Sequence, residues 1–141
     1  MFKRIHHMAF LVGSVDDDLE EAMAKFEENF GADFIDVVAY DYDFVDIALY
    51  RIGNTIIELM APTAEEGWPY RYWSENGNGF FHIAFEVDDI EESIDQLAEQ
   101  DIGMQTEVYK GVDWRVATMD EDDTFVPMQV VEDGRDLEDR F

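Results

Sequence analysis

Cysteine is absent from this 141-residue chain, proline occurs three times, and only nine residues are basic against 35 Asp and Glu. The first absence removes disulfides, thiolate metal sites and a cysteine nucleophile. The scarcity of cations leaves a formal net charge of −26. A surface of that sign cannot neutralise a line of phosphates, so nucleic-acid binding is excluded as an expected function. The longest apolar run, Met8 to Val12, falls far short of the roughly 20 residues that span a bilayer, and no membrane association is expected. His6 and His7 interrupt any signal-like segment behind Lys3 and Arg4. A cytoplasmic location is the resulting expectation.

What is present argues for a folded domain. Hydrophobic residues make up 47% of the chain and aromatics 14%, enough for a core and too many for disorder. The acid is spread along the whole chain, and the basic side holds only three lysines, Lys3, Lys25 and Lys110. That balance reads as adaptation to high salt. At about 1 M salt the Debye length is roughly 3 Å, so the self-repulsion of such a surface is largely screened. An ordinary acidic bacterial protein is the plainer reading of the same composition.

The chain also repeats itself. His7-Met8-Ala9-Phe10-Leu11-Val12 returns half a chain later as His82-Ile83-Ala84-Phe85-Glu86-Val87. An acidic cluster follows each copy, Asp16-Asp17-Asp18 and Asp88-Asp89, placed to cap a helix start. Helical spacing comes next, through Leu19, Ala22, Met23, Phe26 and Phe30, then through Ile90, Ile94, Leu97 and Ala98. Gly31 and Gly103 stand where each helix would end. Strands are expected over 34–40, 44–51 and 55–60, with Gly53-Asn54 as a tight turn, and again over 104–109, 114–119 and 124–131. Each half therefore reads β-α-β-β-β, and two such units pack as a pseudo-symmetric pair because neither buries its sheet alone. The expected organisation is one α+β domain: a first module over 1–62, a connector over 63–78, a second module over 79–133 and a tail over 134–141.

Strand alternation places Ile5, His7, Ala9 and Leu11 on one face and Met8, Phe10 and Val12 on the other. In the repeat, Ile83, Phe85 and Val87 form the greasy face, so His7 and His82 point away from the helices, each beside a small alanine. Two histidines at equivalent repeat positions favour a shared role. Glu58, inside Ile56-Ile57-Glu58-Leu59-Met60, is a carboxylate in an apolar strand, costly unless paired with a cation or bound to metal. A salt bridge to Arg115 or Arg71 would serve equally. Gln129, at the matching place in the last strand, reads first as a hydrogen-bonding partner of a neighbouring strand.

With these motifs the chain resembles the vicinal oxygen chelate superfamily, which includes glyoxalase I, methylmalonyl-CoA epimerase, extradiol dioxygenases and bleomycin-resistance proteins. The resemblance runs from about Ile5 to Glu132. It is strongest over Gly79 to Gln100, where the epimerase and glyoxalase branch is the best match. It implies a cupped eight-stranded mixed sheet with helices outside, holding one divalent metal ion. The ligands it implies are His7, Glu58, His82 and Gln129, a set suited to Zn, Ni, Co, Mn or Fe(II). The implied activity is a metal-dependent isomerase or lyase that removes a proton next to a carbonyl, with the enediolate stabilised by the metal.

Gln129 departs from the pattern, because the family's last-strand ligand is usually a glutamate. An amide cannot accept a proton at neutral pH, which leaves Glu58 as the expected base. A second base would have to be Asp41 or Asp43, so one-base isomerisation or a lyase reaction fits the chain better than two-base epimerisation. Arg71, Arg115 and Trp73 are the expected substrate-binding groups, with Arg51 a further cation, and the partners expected are a small-molecule substrate and a second copy in a homodimer. A metal-free binding protein of the bleomycin-resistance type is the alternative. A ring-cleaving dioxygenase ranks below it.

Overall fold

The computed structural model describes residues 1–13 and 19–141. Eight strands and three α-helices alternate in the order β1 (Arg4–Leu11), α1 (Leu19–Phe30), β2 (Asp33–Tyr40), β3 (Val45–Ile52), β4 (Thr55–Pro62), α2 (Trp68–Asn76), β5 (Gly79–Glu86), α3 (Ile90–Glu99), β6 (Tyr109–Lys110), β7 (Arg115–Thr118) and β8 (Met128–Glu132). The strands form an eight-stranded sheet. It is mixed, because β5 and β8 run parallel whereas β2, β3 and β4 pair antiparallel in sequence, as do β6, β7 and β8. The expected α+β class is what the chain adopts.

Contacts divide the chain into two compact units. One unit holds Met1–His7 and His82–Arg140, the other Met8–Phe81 and Phe141. The boundaries thus fall inside β1 and β5 rather than in the 63–78 connector. In the unit containing α1, Ala48 and Tyr50 of β3 and Ile57 and Leu59 of β4 form the core, with Met8, Phe10, Leu19, Met23 and Phe26 packed on it. Alternation then turns Ile47, Leu49, Ile56, Glu58 and Met60 to the opposite face. In the other unit, α3 packs Ile90 and Leu97 onto Ala117, Met119 and Val130. Opposite those lie His82, Thr118 and Gln129.

Local chemistry accounts for the helix ends. Asp89 accepts from the Glu92 N–H at 3.0 Å and caps α3, as its place in the sequence predicts. Asp16, Asp17 and Asp18 lie outside the described residues. Gly31 turns left-handed at φ 64° after α1. At the end of α3, however, that conformation belongs to Asp101 at φ 62° rather than to Gly103. Aspartate tolerates the left-handed region, and Gly103 instead gives its N–H to Asp123 at 2.9 Å.

Three expectations are corrected. The stretch read as a connector contains α2, started by Gly67 at φ 92° with Pro69 in its first turn and closed by Gly77. Pro and Gly here frame a helix rather than break one. The strand expected over 104–109 shrinks to a single bridge, Met104 to Met119, followed by the two-residue β6. The one expected over 124–131 starts only at Met128, because Glu121–Asp123 form a 3₁₀ turn capped by Asp120.

The acid-rich surface makes a prediction about salt. Raising NaCl from about 0.1 to 2 M is expected to raise the thermal midpoint by roughly 5 °C or more, because like-charge repulsion is screened. A fluorescence melt across a salt series checks it. A flat or falling midpoint would contradict the reading of the charge as adaptation to salt.

Candidate functional site

In the unit containing α3, three of the expected residues come together. His7 from β1, His82 from β5 and Gln129 from β8 are 2%, 3% and 3% exposed. The two ε nitrogens of His7 and His82 face each other at 3.1 Å. Ala84 pairs with Gln129, and Thr118 of β7 pairs with it from the other side. The Gln129 amide nitrogen donates to Thr118 Oγ1 at 3.2 Å and to the Tyr109 hydroxyl at 3.3 Å. The amide is thereby oriented nitrogen toward the hydroxyls, and Gln129 also hydrogen-bonds His7. The strand-to-strand role and the place beside His7 are both present.

Burial sets the protonation of this group. It pulls the His82 imidazole down to about 3. His7 is held well below its ordinary value, by burial first and then by the neighbouring rings of His6 and His82. Both rings are therefore neutral at physiological pH, the form in which an imidazole nitrogen can ligate a cation.

Sequence reading passed over the residues behind His7. His6, 1% exposed, approaches His7 Nδ1 with its own Nδ1 at 2.8 Å. Its Nε2 lies 2.8 Å from Asp133 Oδ2, and Asp133 is gripped by the Arg135 guanidinium at 3.0 and 2.9 Å. Burial pushes the Asp133 carboxyl up, but His6 and Arg135 together outweigh that and hold it below the usual range. Trp114 closes this cluster, its ring 4.6 Å from that of His6 and 5.2 Å from that of His7. The His-His doublet was a visible signal. Asp133, following Glu132 at the end of β8, looks like one more surface acid.

The unit containing α1 supplies Glu58. It sits mid-strand in β4 opposite Leu49 of β3, is 2% exposed, and shares its face with Ile47, Ile56 and Met60. Burial in that apolar setting pushes its carboxyl up to about 8. The same unit holds Asp43 in the 3₁₀ turn Asp41–Asp43 between β2 and β3. Burial raises its carboxyl, and Arg71 of α2 opposes the rise. Asp41 is exposed. Trp73 is half-buried on α2, its indole N–H donating to Asn78 at 2.9 Å.

Arg115 does not face the histidines. It lies opposite Glu132 in the β7–β8 ladder, on the side that packs against α3. There it is bridged by Glu91 and by Glu132, the latter at 3.1 Å. Alternation decides this: Arg115 is an odd number of residues from Thr118 and so points to the other side. Arg51 is exposed and stacks on Phe141 at 4.6 Å.

Fold and residues lead to one family. The chain belongs to the glyoxalase/bleomycin resistance protein/dioxygenase superfamily, whose family model matches residues 4–118. It is similar to the mitochondrial methylmalonyl-CoA epimerase of Bos taurus, with 29% identity over 108 residues covering 76% of this chain and 59% of that protein. It therefore spans about three fifths of that relative's length. The ethylmalonyl-CoA/methylmalonyl-CoA epimerase of Cereibacter sphaeroides is 33% identical over 101 residues, covering 70% of this chain and 72% of that one. Among solved structures, the Streptomyces coelicolor methylmalonyl-CoA epimerase in complex with 2-nitronate-propionyl-CoA matches at TM-score 0.88 and 19% identity, over 96% of this chain and 100% of that chain. The Mycobacterium tuberculosis methylmalonyl-CoA epimerase matches at TM-score 0.87 and 21% identity, over 98% and 93%. Likeness at that identity establishes the shared fold.

Proposed function

We propose that this chain is an epimerase-type isomerase of acyl-CoA thioesters that carry a carboxylate on the α-carbon. The observation that carries the reading is the buried pair of neutral imidazoles, His7 and His82, with the Gln129 amide beside them. The relatives named as epimerases support the reaction class. They favour the isomerase side of the expectation over the lyase side.

The donor set fits a divalent cation of borderline softness: two neutral ring nitrogens converge next to an oriented amide. We assign His7, His82, Gln129 and Glu58 as the groups that would hold it. Such an ion, when bound, supplies Lewis-acid stabilisation of the charge that builds on a carbonyl oxygen. Glu58, its carboxyl raised by burial toward working pH, is the base we assign to remove the proton from one face of the α-carbon. Inversion then requires a second acid to deliver a proton to the opposite face. Arg71 and Trp73 on α2 are the groups we assign to the anionic end of the substrate. Asp43, beside Arg71, is the carboxyl we assign as second acid. Arg115 has no part, because Glu91 and Glu132 already claim it.

Metal analysis of the purified protein tests the assignment. About one equivalent of a divalent ion is expected, removed by chelator and restored by reloading. Fewer than roughly 0.2 equivalents after reloading would overturn the metal-dependent reading.

A further inference from the structure

The two ends of the Gln129 side chain differ in what they can do. A side-chain amide offers a cation only its oxygen, because the nitrogen carries two N–H donors and no acceptor. The ends are nearly equal in size, so packing alone does not choose between them. We propose that Thr118 and Tyr109 are positioning residues, whose hydroxyls take up the nitrogen end of Gln129 so that its oxygen serves as the ligand. This rests on the reading of Gln129 as a ligand given above.

All three residues lie in the unit containing α3, on neighbouring strands. Thr118 of β7 stands directly opposite Gln129 of β8, and Tyr109 enters from the short edge strand β6, opposite Val116. The Gln129 nitrogen reaches Thr118 Oγ1 at 3.2 Å and the Tyr109 hydroxyl at 3.3 Å. On its other flank Gln129 is paired with Ala84 of β5, whose methyl group neither donates nor accepts. With the nitrogen turned to the hydroxyls, the hydrogen bond between Gln129 and His7 has the amide oxygen as its acceptor. A carbonyl oxygen has two lone pairs, so that atom can accept from the ring and bind a cation as well.

Thr118 is itself tied down. It is 0% exposed, its backbone N–H donates to Thr106 Oγ1 at 3.0 Å, and its carbonyl accepts from the Gln105 N–H at 2.8 Å. The stretch before β6, which makes one bridge in place of the expected strand, thus fixes this residue. Without the two hydroxyls, the ligating orientation would strand a buried NH2 group, the kind of unmade bond that costs most. The amide would then turn its nitrogen toward the histidines and withdraw the oxygen.

Co(II) is the probe, titrated optically into the metal-free protein. Thr118→Val combined with Tyr109→Phe keeps the shape of both side chains and is expected to weaken binding by about ten- to hundredfold. Thr118→Ser retains a hydroxyl and is expected to stay within about threefold of wild type. In a Gln129→Leu background the same double substitution is expected to change affinity by less than about twofold, because the residue it orients is gone. A merely structural role would weaken binding in both backgrounds. Wild-type affinity in a folded double variant overturns the proposal, and so does an equal loss in the Gln129→Leu background. Nuclear Overhauser contacts in the metal-free wild type decide even if no variant folds. The Gln129 amide protons are expected beside the Thr118 methyl group and the Tyr109 ring, and finding them beside the His7 ring overturns the proposal. Should those contacts be as expected while the wild type binds no Co(II), or Gln129→Leu binds it equally well, the orientation stands and the ligand reading of the preceding section fails.

Discussion

Replacing Glu58 with glutamine is expected to slow proton exchange at the α-carbon of a 2-carboxyacyl-CoA by about a hundred- to ten-thousandfold in kcat. The amide keeps the size of the side chain and a ligating oxygen but cannot take a proton. Deuterium wash-in followed by NMR, with kcat expressed per bound metal, separates loss of the base from loss of the ion. Retention of kcat within about threefold would end the assignment of Glu58 as base. A second readout comes from the metal-free protein. The folded-state carboxyl titrates near 8 against an ordinary 4.5. The stability that goes with a neutral Glu58 is therefore full below about pH 4.5 and is lost as pH rises through about 8. Metal-free Glu58→Gln is expected to escape that loss, so its stability should exceed wild type more at pH 9 than at pH 5. Urea melts at the two pH values check the sign.

The next largest effect concerns folding rather than chemistry. Glu86 and Arg140 are 2% and 6% exposed and form a two-pronged ion pair, with the second guanidinium nitrogen also reaching the carbonyls of Asp133 and Arg135 at 3.3 and 2.9 Å. Arg140→Ala leaves a buried carboxylate without its main counterion, at a cost of about 3–5 kcal/mol. For a chain of this size that lowers the thermal midpoint by roughly 10 °C. Making Glu86→Leu and Arg140→Met together removes both charges and is expected to recover most of the loss. A drop of less than about 1 kcal/mol for Arg140→Ala would show that water or Lys3 and Arg4, each 4.0 Å from Glu86, compensates in its place.

The pair also shows where linear reading stops. Residues 134–141 were expected to be a tail, and nothing near Arg140 in sequence marks it as buried. Its partner Glu86 stands 54 positions away, on a strand reached only after folding. Asp133 belongs to the same kind. It follows the end of a strand among other acids, and it meets His6, 127 positions distant. Arg115 erred in the opposite sense, since scarcity of cations made it a candidate for substrate until pairing showed its face.

Elements with a strong local period were legible in detail. The 3.6-residue spacing placed the helix Leu19–Phe30 and the start of Ile90–Glu99, whose end falls four residues short of the expected Gly103. The strands expected over 34–40, 44–51 and 55–60 lie within two residues of β2, β3 and β4. The repeat of His7 in His82 marked two residues that face each other at 3.1 Å. α2 was hidden because Pro and Gly frame it, and those residues serve helix ends and loops alike.

The −26 charge and the absence of cysteine removed whole classes of function before any fold was known. Periodicity and the internal repeat were then enough for the α+β architecture and the buried histidines, since both depend on neighbours within a turn or a strand. Which two of the 35 acids bury themselves against Arg135 and Arg140 depends on contacts between distant segments. Burial and hydrogen-bond direction are properties of that assembled environment, and the spacing of residues along the chain does not carry them.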